Sequence, residues 1–195
     1  MRTFVAIEID DAVRERISRF MDGVREFAPD VRWVRPESIH ITLKFIGEKP
    51  PELVDRVKEA LSAVKGQAFE ITFRGFGFFP TAKSPRVFWI GLDSSPQITR
   101  LAVAVDEAVF ALGIPKENHP YSPHLTLARG GGGSGSPRRR KEDRPNSQFQ
   151  RLQEKLNALP APEFGSMIAR EFFLYESQLL RGGSRYTKIA RFALE

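Results

Sequence analysis

The chain has 195 residues, 41% of them apolar, a formal charge of +6 and no cysteine. That is enough apolar material for one large domain, or for two small lobes sharing a core. The composition excludes disulfides, thiolate catalysis and cysteine-ligated metal sites, and no apolar run approaches the roughly 20 residues of a membrane span.

The positive balance favours polyanionic partners through counterion release, without by itself naming nucleic acid. Met1 to Asp10 lacks the ordered leader, apolar block and cleavage site of a secretory signal, so a first strand and a cytoplasmic location are expected.

In chain order, Arg2 to Ile9 reads as that strand. Asp10 or Asp11 is placed to cap a helix in which Val13, Ile17, Phe20, Met21, Val24 and Phe27 recur at spacings of three and four, with Pro29 ending it. Val31 to Val34 is a short extended segment, and Pro36 breaks the chain before a strand over Ser38 to Gly47. Gly47 and Pro50-Pro51 mark a turn and a second helix, striped by Leu53, Val54, Val57, Ala60, Leu61 and Val64 and closed by Gly66. Phe69 to Phe79 is a strand in which Gly75 and Gly77 predict a bulge or a close approach. Its Gly-Phe-Gly-Phe spacing lacks the third glycine of a dinucleotide fingerprint and opens no helix.

Arg86 to Leu92 is the next strand, and a third helix carries Ile98, Leu101, Val105, Val109 and Leu112 as far as Gly113. Gly130 to Asn146 then breaks all periodicity with glycine and serine runs and Arg138-Arg139-Arg140-Lys141. This segment, 130–146, is expected to be a flexible basic loop, either a solvated insertion or a collector of polyanionic substrate. Ser147 to Leu159 resumes as a helix, and Phe164 to Leu174 and Tyr186 to Leu194 close the fold as two strands around Gly182-Gly183.

One pattern occurs twice. His40-Ile41-Thr42-Leu43 lies in the first half of the chain and His124-Leu125-Thr126-Leu127 in the second. Each alternates polar and apolar residues, so each reads as a strand with His and Thr on one face and two aliphatic side chains on the other. A single copy is an ordinary strand histidine. Two of only three histidines in the same tetrapeptide point to two equivalent strands whose polar faces meet across a cleft. The alternation of elements argues for an α+β or α/β sandwich of sheet and helices.

Two facing histidines suit a reaction that needs a base and an acid in one turnover, because an imidazole titrates near pH 6.5. Thr42 and Thr126 supply neutral hydroxyl donors for non-bridging phosphate oxygens. Arg129 adds a fixed charge with fork geometry for phosphate. Strict strand alternation places Arg129 opposite His124, so this reading requires it to reach round the strand end. Opening of a cyclic phosphodiester fits this set, with the order of acid and base left open. His119, in a proline-flanked loop without an acidic cluster, is read as a loop residue and not as a metal ligand.

These residues resemble the two-histidine phosphoesterases, and more narrowly the RNA 2′,3′-cyclic phosphodiesterases once described as 2′-5′ RNA ligases (the ThpR/LigT group). Supporting stretches are Arg2 to Ile7, Trp33-Val34, Leu43 to Glu48, Arg86 to Leu92 and Phe173 to Ser177, with Tyr186-Thr187. The resemblance implies one bilobal α+β domain over residues 1–195, two pseudo-symmetric lobes with antiparallel sheets facing a central cleft and helices outside, that hydrolyses RNA 2′,3′-cyclic phosphate ends to 2′-phosphates without a metal or other cofactor. Reversible 2′-5′ ligation is an expected side activity. It makes His40 the proton donor and His124 the acceptor, with Thr42, Thr126 and Arg129 on the phosphate. Expected partners are RNA with such ends, small cyclic nucleotides, and ATP or another nucleotide in the cleft, for a monomer without membrane association. Two other readings stand beside it: a non-catalytic RNA or nucleotide-binding module, and a 2′-5′ oligonucleotide phosphodiesterase.

Overall fold

The computed structural model describes residues 1–94, 96–130 and 147–195. The expected basic loop at 130–146 therefore lies, beyond Gly130, outside the described residues. The first half runs β1 (Arg2–Glu8), α1 (Asp11–Val24), β2 (Arg32–Trp33), β3 (His40–Glu48), α2 (Pro51–Ser62) and β4 (Phe69–Pro80). The second runs β5 (Pro85–Ser94), α3 (Gln97–Phe110), β6 (His124–Arg129), α4 (Gln150–Asn157), β7 (Glu163–Ala169), β8 (Glu171–Leu180) and β9 (Gly183–Ala193). Among the described residues no helix is long and apolar enough to cross a membrane.

Two antiparallel sheets result, in the orders β3-β1-β8-β9 and β2-β6-β5-β4-β7. The halves exchange strands: β4 closes the first half but pairs with β5 in the second sheet, while β8 and β9 close the second half but join β1 in the first. Helices are shared in the same way, with α3 lying against β3, α2 against β9 and α1 against β7. One buried cluster runs through both sheets, from Val5, Ile41 and Leu43 to Phe88, Ile90 and Leu125.

The helical stripes pack as their periods predict, with Val13, Ile17, Met21 and Val24 buried on α1 and Val54, Val57 and Leu61 on α2. Ends differ. Asp10 holds the N-cap position of α1 but its side chain makes no cap bond, and Arg25–Phe27 tightens into a 3-10 turn. Helix α2 stops at Ser62, before Gly66.

The strand expected over Phe164 to Leu174 is two strands, broken at Arg170 and belonging to different sheets. The burial pattern explains the break. Edge strand β7 buries Phe164, Met167 and Ala169 on one side only. Strand β8 buries Phe172, Phe173, Leu174 and Tyr175 in succession, because the first sheet is covered on both faces. Phe172 and Leu174 join the main core, whereas Phe173 and Tyr175 pack with Phe4 and Ala6 in a small cluster on the other side.

Candidate active site

Strands β3 and β6 carry the repeated tetrapeptides. Ile41 and Leu125 are fully excluded from solvent, as is Leu127, with Leu43 nearly so. Burying such a side chain contributes about 1.5–3 kcal/mol, and a one-residue slip would expose every one of them. The register is thereby pinned, and His40, Thr42, His124 and Thr126 are left on the opposite faces, each half-buried. All four line one cavity of about 680 Å³, which Phe45 and Arg129 also border.

Both motif strands break their alternation at the same point. In the first ladder the β1 partners step from Thr42 to Lys44, and in the second the β5 partners step from Thr126 to Ala128. Each skipped leucine is a bulge, with Leu43 and Lys44 both buried, and likewise Leu127 and Ala128. A bulge shifts the side-chain period by one. The fifth residue after each histidine therefore returns to the cavity side, as Phe45 in one strand and Arg129 in the other. Arg129 reaches the site through this bulge and not by bending round the strand end.

Each imidazole is held alike. Nδ1 of His40 lies 2.8 Å from the Ser38 carbonyl oxygen, and Nδ1 of His124 lies 2.7 Å from that of Ser122. A carbonyl only accepts, so Nδ1 carries the proton and donates it, and Nε2 of each neutral ring is left as a base. His40 stacks on Phe4 at 4.6 Å and meets the edge of Tyr186 at 5.2 Å, while His124 meets the edge of Phe79 at 5.1 Å.

Burial disfavours charge on both rings. His40 is pushed down to about 4 by burial, with the Ser38 bond opposing and the charge of Arg14 adding to the depression. His124 is lowered by burial, with the Ser122 bond opposing and Arg129 adding. Both are neutral at pH 7.

Several residues that shape the site carry no strong sequence signal. Arg14 on α1 donates Nη1 to the carbonyls of Pro36 at 2.6 Å and Ile39 at 3.1 Å, and Nη2 to Ile9 at 3.3 Å. One guanidinium thus ties the end of β1 to the backbone entering His40. Tyr121 donates its hydroxyl across the cleft to the Thr42 carbonyl at 2.9 Å, and burial raises its pKa. Lys44 is 2% exposed, with Nζ 2.7 Å from Asp106, 3.3 Å from Glu117 and 2.7 Å from the Pro115 carbonyl. It anchors the segment that brings Tyr121 to the cleft. His119 sits in that loop as expected, and lines the cavity. The serine two residues before each histidine was a readable repeat, but its contribution is a backbone carbonyl, which residue type does not reveal.

The family model for LigT-like phosphoesterases matches the chain twice, over residues 7–89 and 90–186, one match around each histidine motif. The chain belongs to that family. Its relatives include the RNA 2′,3′-cyclic phosphodiesterase of Archaeoglobus fulgidus, 35% identical over 98% of this chain and 99% of that protein. The enzyme of the same name from Methanothermobacter thermautotrophicus is 32% identical over 100% and 99%. Escherichia coli LigT complexed with 3′-AMP superposes with a TM-score of 0.77 at 27% identity, covering 99% of this chain and 97% of that one. The same LigT has been solved with ATP, at 26% identity and a TM-score of 0.73. The double match agrees with the internal duplication read from the repeated tetrapeptide.

Proposed function

We propose that this phosphoesterase is an RNA 2′,3′-cyclic phosphodiesterase, and that His40, His124, Thr42, Thr126 and Arg129 carry the reaction. The observation that supports it most is the pair of imidazoles with Nδ1 locked on backbone and Nε2 free, lining one cavity with two threonines. Residues 1–195 act as one bilobal unit, since each sheet takes strands from both halves. One chain contributes both histidines, so a monomer suffices.

His124 Nε2 removes a proton from water as the water oxygen bonds to phosphorus. The bond from phosphorus to O3′ breaks in line, and His40 delivers a proton to O3′, leaving a 2′-phosphate. Thr42, Thr126 and Arg129 meet the equatorial oxygens, where charge grows. His40 is neutral before substrate arrives and takes up its proton together with the anionic phosphate. The assignment of donor and acceptor follows the resemblance. Ligation is the related step with an RNA 5′-hydroxyl in place of water: its oxygen bonds to phosphorus as the bond to O3′ breaks and O3′ takes a proton, leaving a 2′-5′ linkage. ATP is a further occupant of the cleft, in keeping with the LigT complex.

The test is turnover of a 2′,3′-cyclic nucleotide with the phosphate position of the product identified. A 2′-monophosphate is expected. Binding without turnover would favour a recognition module, and cleavage of 2′-5′ dinucleotides alone would favour the oligonucleotide phosphodiesterase.

The pH dependence has a definite sign. A depressed imidazole loses its proton at lower pH, so the donor empties earlier as pH rises. Both rings lie below 6.5 in the free protein, and kcat/KM reports the free protein. The alkaline limb of kcat/KM is therefore expected below pH 6.5. That of kcat should lie higher, because bound phosphate favours the imidazolium. An alkaline limb of kcat/KM above pH 7 would contradict this electrostatic reading.

A further inference from the structure

Strand β8 runs past its partner in the first sheet. Its pairing with β1 ends at Thr3 and Glu176, and beyond that point it pairs with β9 alone. Ser177–Leu180 and Gly183–Tyr186 thus form a two-stranded arm joined by the turn residues Arg181 and Gly182. Directly opposed residues share a face, so Ser177, Tyr186, Leu179 and Ser184 lie on one side and Gln178 and Arg185 on the other. Three of the first four, Ser177, Ser184 and Tyr186, line the cavity. Leu179 continues that face outward and is 75% exposed.

Positive charge lies at the base and the tip of the arm. Arg35 donates Nη2 to the Ser184 carbonyl at 3.3 Å and sits so close to Gly183 that a Cβ there would lie 3.1 Å from it. Arg2 borders the cavity and Arg181 caps the arm. Glu37, 4.0 Å from Arg35, is the acidic side chain paired with this group among the described residues. An exposed aliphatic side chain beside arginines, continuous with the cavity that holds both histidines, matches a single nucleic-acid strand. Guanidinium groups meet phosphates, and the apolar side chain meets the face of a base.

We propose that this arm, through Leu179 and Arg181 with Arg35 at its base, seats the RNA nucleotides preceding the one that bears the cyclic phosphate. The inference rests on the phosphodiesterase reading and adds a length preference to it. An RNA chain is expected to be a better substrate than a cyclic mononucleotide by about tenfold or more, the equivalent of one well-seated base.

The experiment compares kcat/KM for a 2′,3′-cyclic mononucleotide and for an oligoribonucleotide ending in a 2′,3′-cyclic phosphate. Proteins compared are the unaltered chain, Leu179→Asn with Arg181→Glu, and Arg185→Glu as a charge-matched change on the other face. Binding of a labelled oligoribonucleotide with a 2′-phosphate end, read by fluorescence anisotropy, gives a measure independent of turnover. The double variant is expected to bring the oligonucleotide-to-mononucleotide ratio toward one and to weaken RNA binding about tenfold. It should also flatten the salt dependence, by about 0.7 in log–log slope for each phosphate that the arm no longer neutralises. Arg185→Glu should do markedly less. An unchanged ratio and unchanged binding in the double variant, or an equal loss in Arg185→Glu, would overturn the proposal. If no cyclic phosphate is turned over while RNA binding still depends on the arm, the catalytic reading falls and the arm's role stands.

Discussion

Replacing His40 or His124 by alanine is expected to lower kcat on a 2′,3′-cyclic nucleotide by about 10²–10⁴-fold, the usual contribution of one positioned proton-transfer group. Neither change should unfold the chain. His40 stacks on Phe4 and His124 meets Phe79, so each truncation costs an aromatic pairing of about 0.5–1.5 kcal/mol, while the strand registers rest on the buried aliphatic face behind them. The double variant should fall about as far as either single one, because an acid and a base that act in one step are not additive. Rates measured alongside thermal melts separate loss of chemistry from loss of fold. A single variant that keeps more than about a tenth of the activity would remove its histidine from the mechanism.

The second large effect is on stability. Lys44 is 2% exposed, and its ammonium is held by Asp106, Glu117 and the Pro115 carbonyl. Removing one partner of a buried pair leaves a desolvated charge, at a cost of about 3–5 kcal/mol. Asp106→Ala is expected to reach the lower end, about 3 kcal/mol, since Glu117 remains. At about 2–4 °C per kcal/mol for a chain of this size, the melting temperature should fall by about 6–12 °C. Lys44→Met should cost much less, because both carboxylates left behind lie nearer to water than the ammonium does. The pair of denaturation curves decides the matter: equal losses in the two variants would mean that packing, not the stranded charge, sets the cost. Activity should drop in Asp106→Ala beyond the loss of fold, since this ion pair fixes the segment from which Tyr121 reaches Thr42.

Much of this was legible in the sequence. The two tetrapeptides gave the strands, the faces and four cavity residues, because alternation over four residues with a buried aliphatic pair leaves one orientation. The position of Arg129 was not legible. Its return to the cavity depends on the bulge at Leu127, and nothing in Leu127-Ala128 distinguishes a bulge from a straight strand. The bulge at Leu43-Lys44 hid equally well, although a buried lysine in the middle of a strand is its visible trace. The division at Arg170 escaped because Phe164 to Leu174 is strand-like on both sides of Arg170-Glu171, a charged pair that a single exposed strand could also carry, and only the pairing partners reveal two sheets. Arg14 and Tyr121 act on backbone carbonyls far away in the chain, and such targets have no residue signature.

The traded strands have a further consequence. Opened at the turn between β4 and β5, the amino-terminal piece would keep the histidine strand β3 with only β1 beside it. The carboxy-terminal piece would keep β6 and β5 without the inner strand β4. Neither fragment owns a finished scaffold, yet each holds what the other lacks, so the two are built to reassemble as complementary parts. The intact molecule should accordingly melt as a single cooperative unit, its ancestral repeats no longer separable.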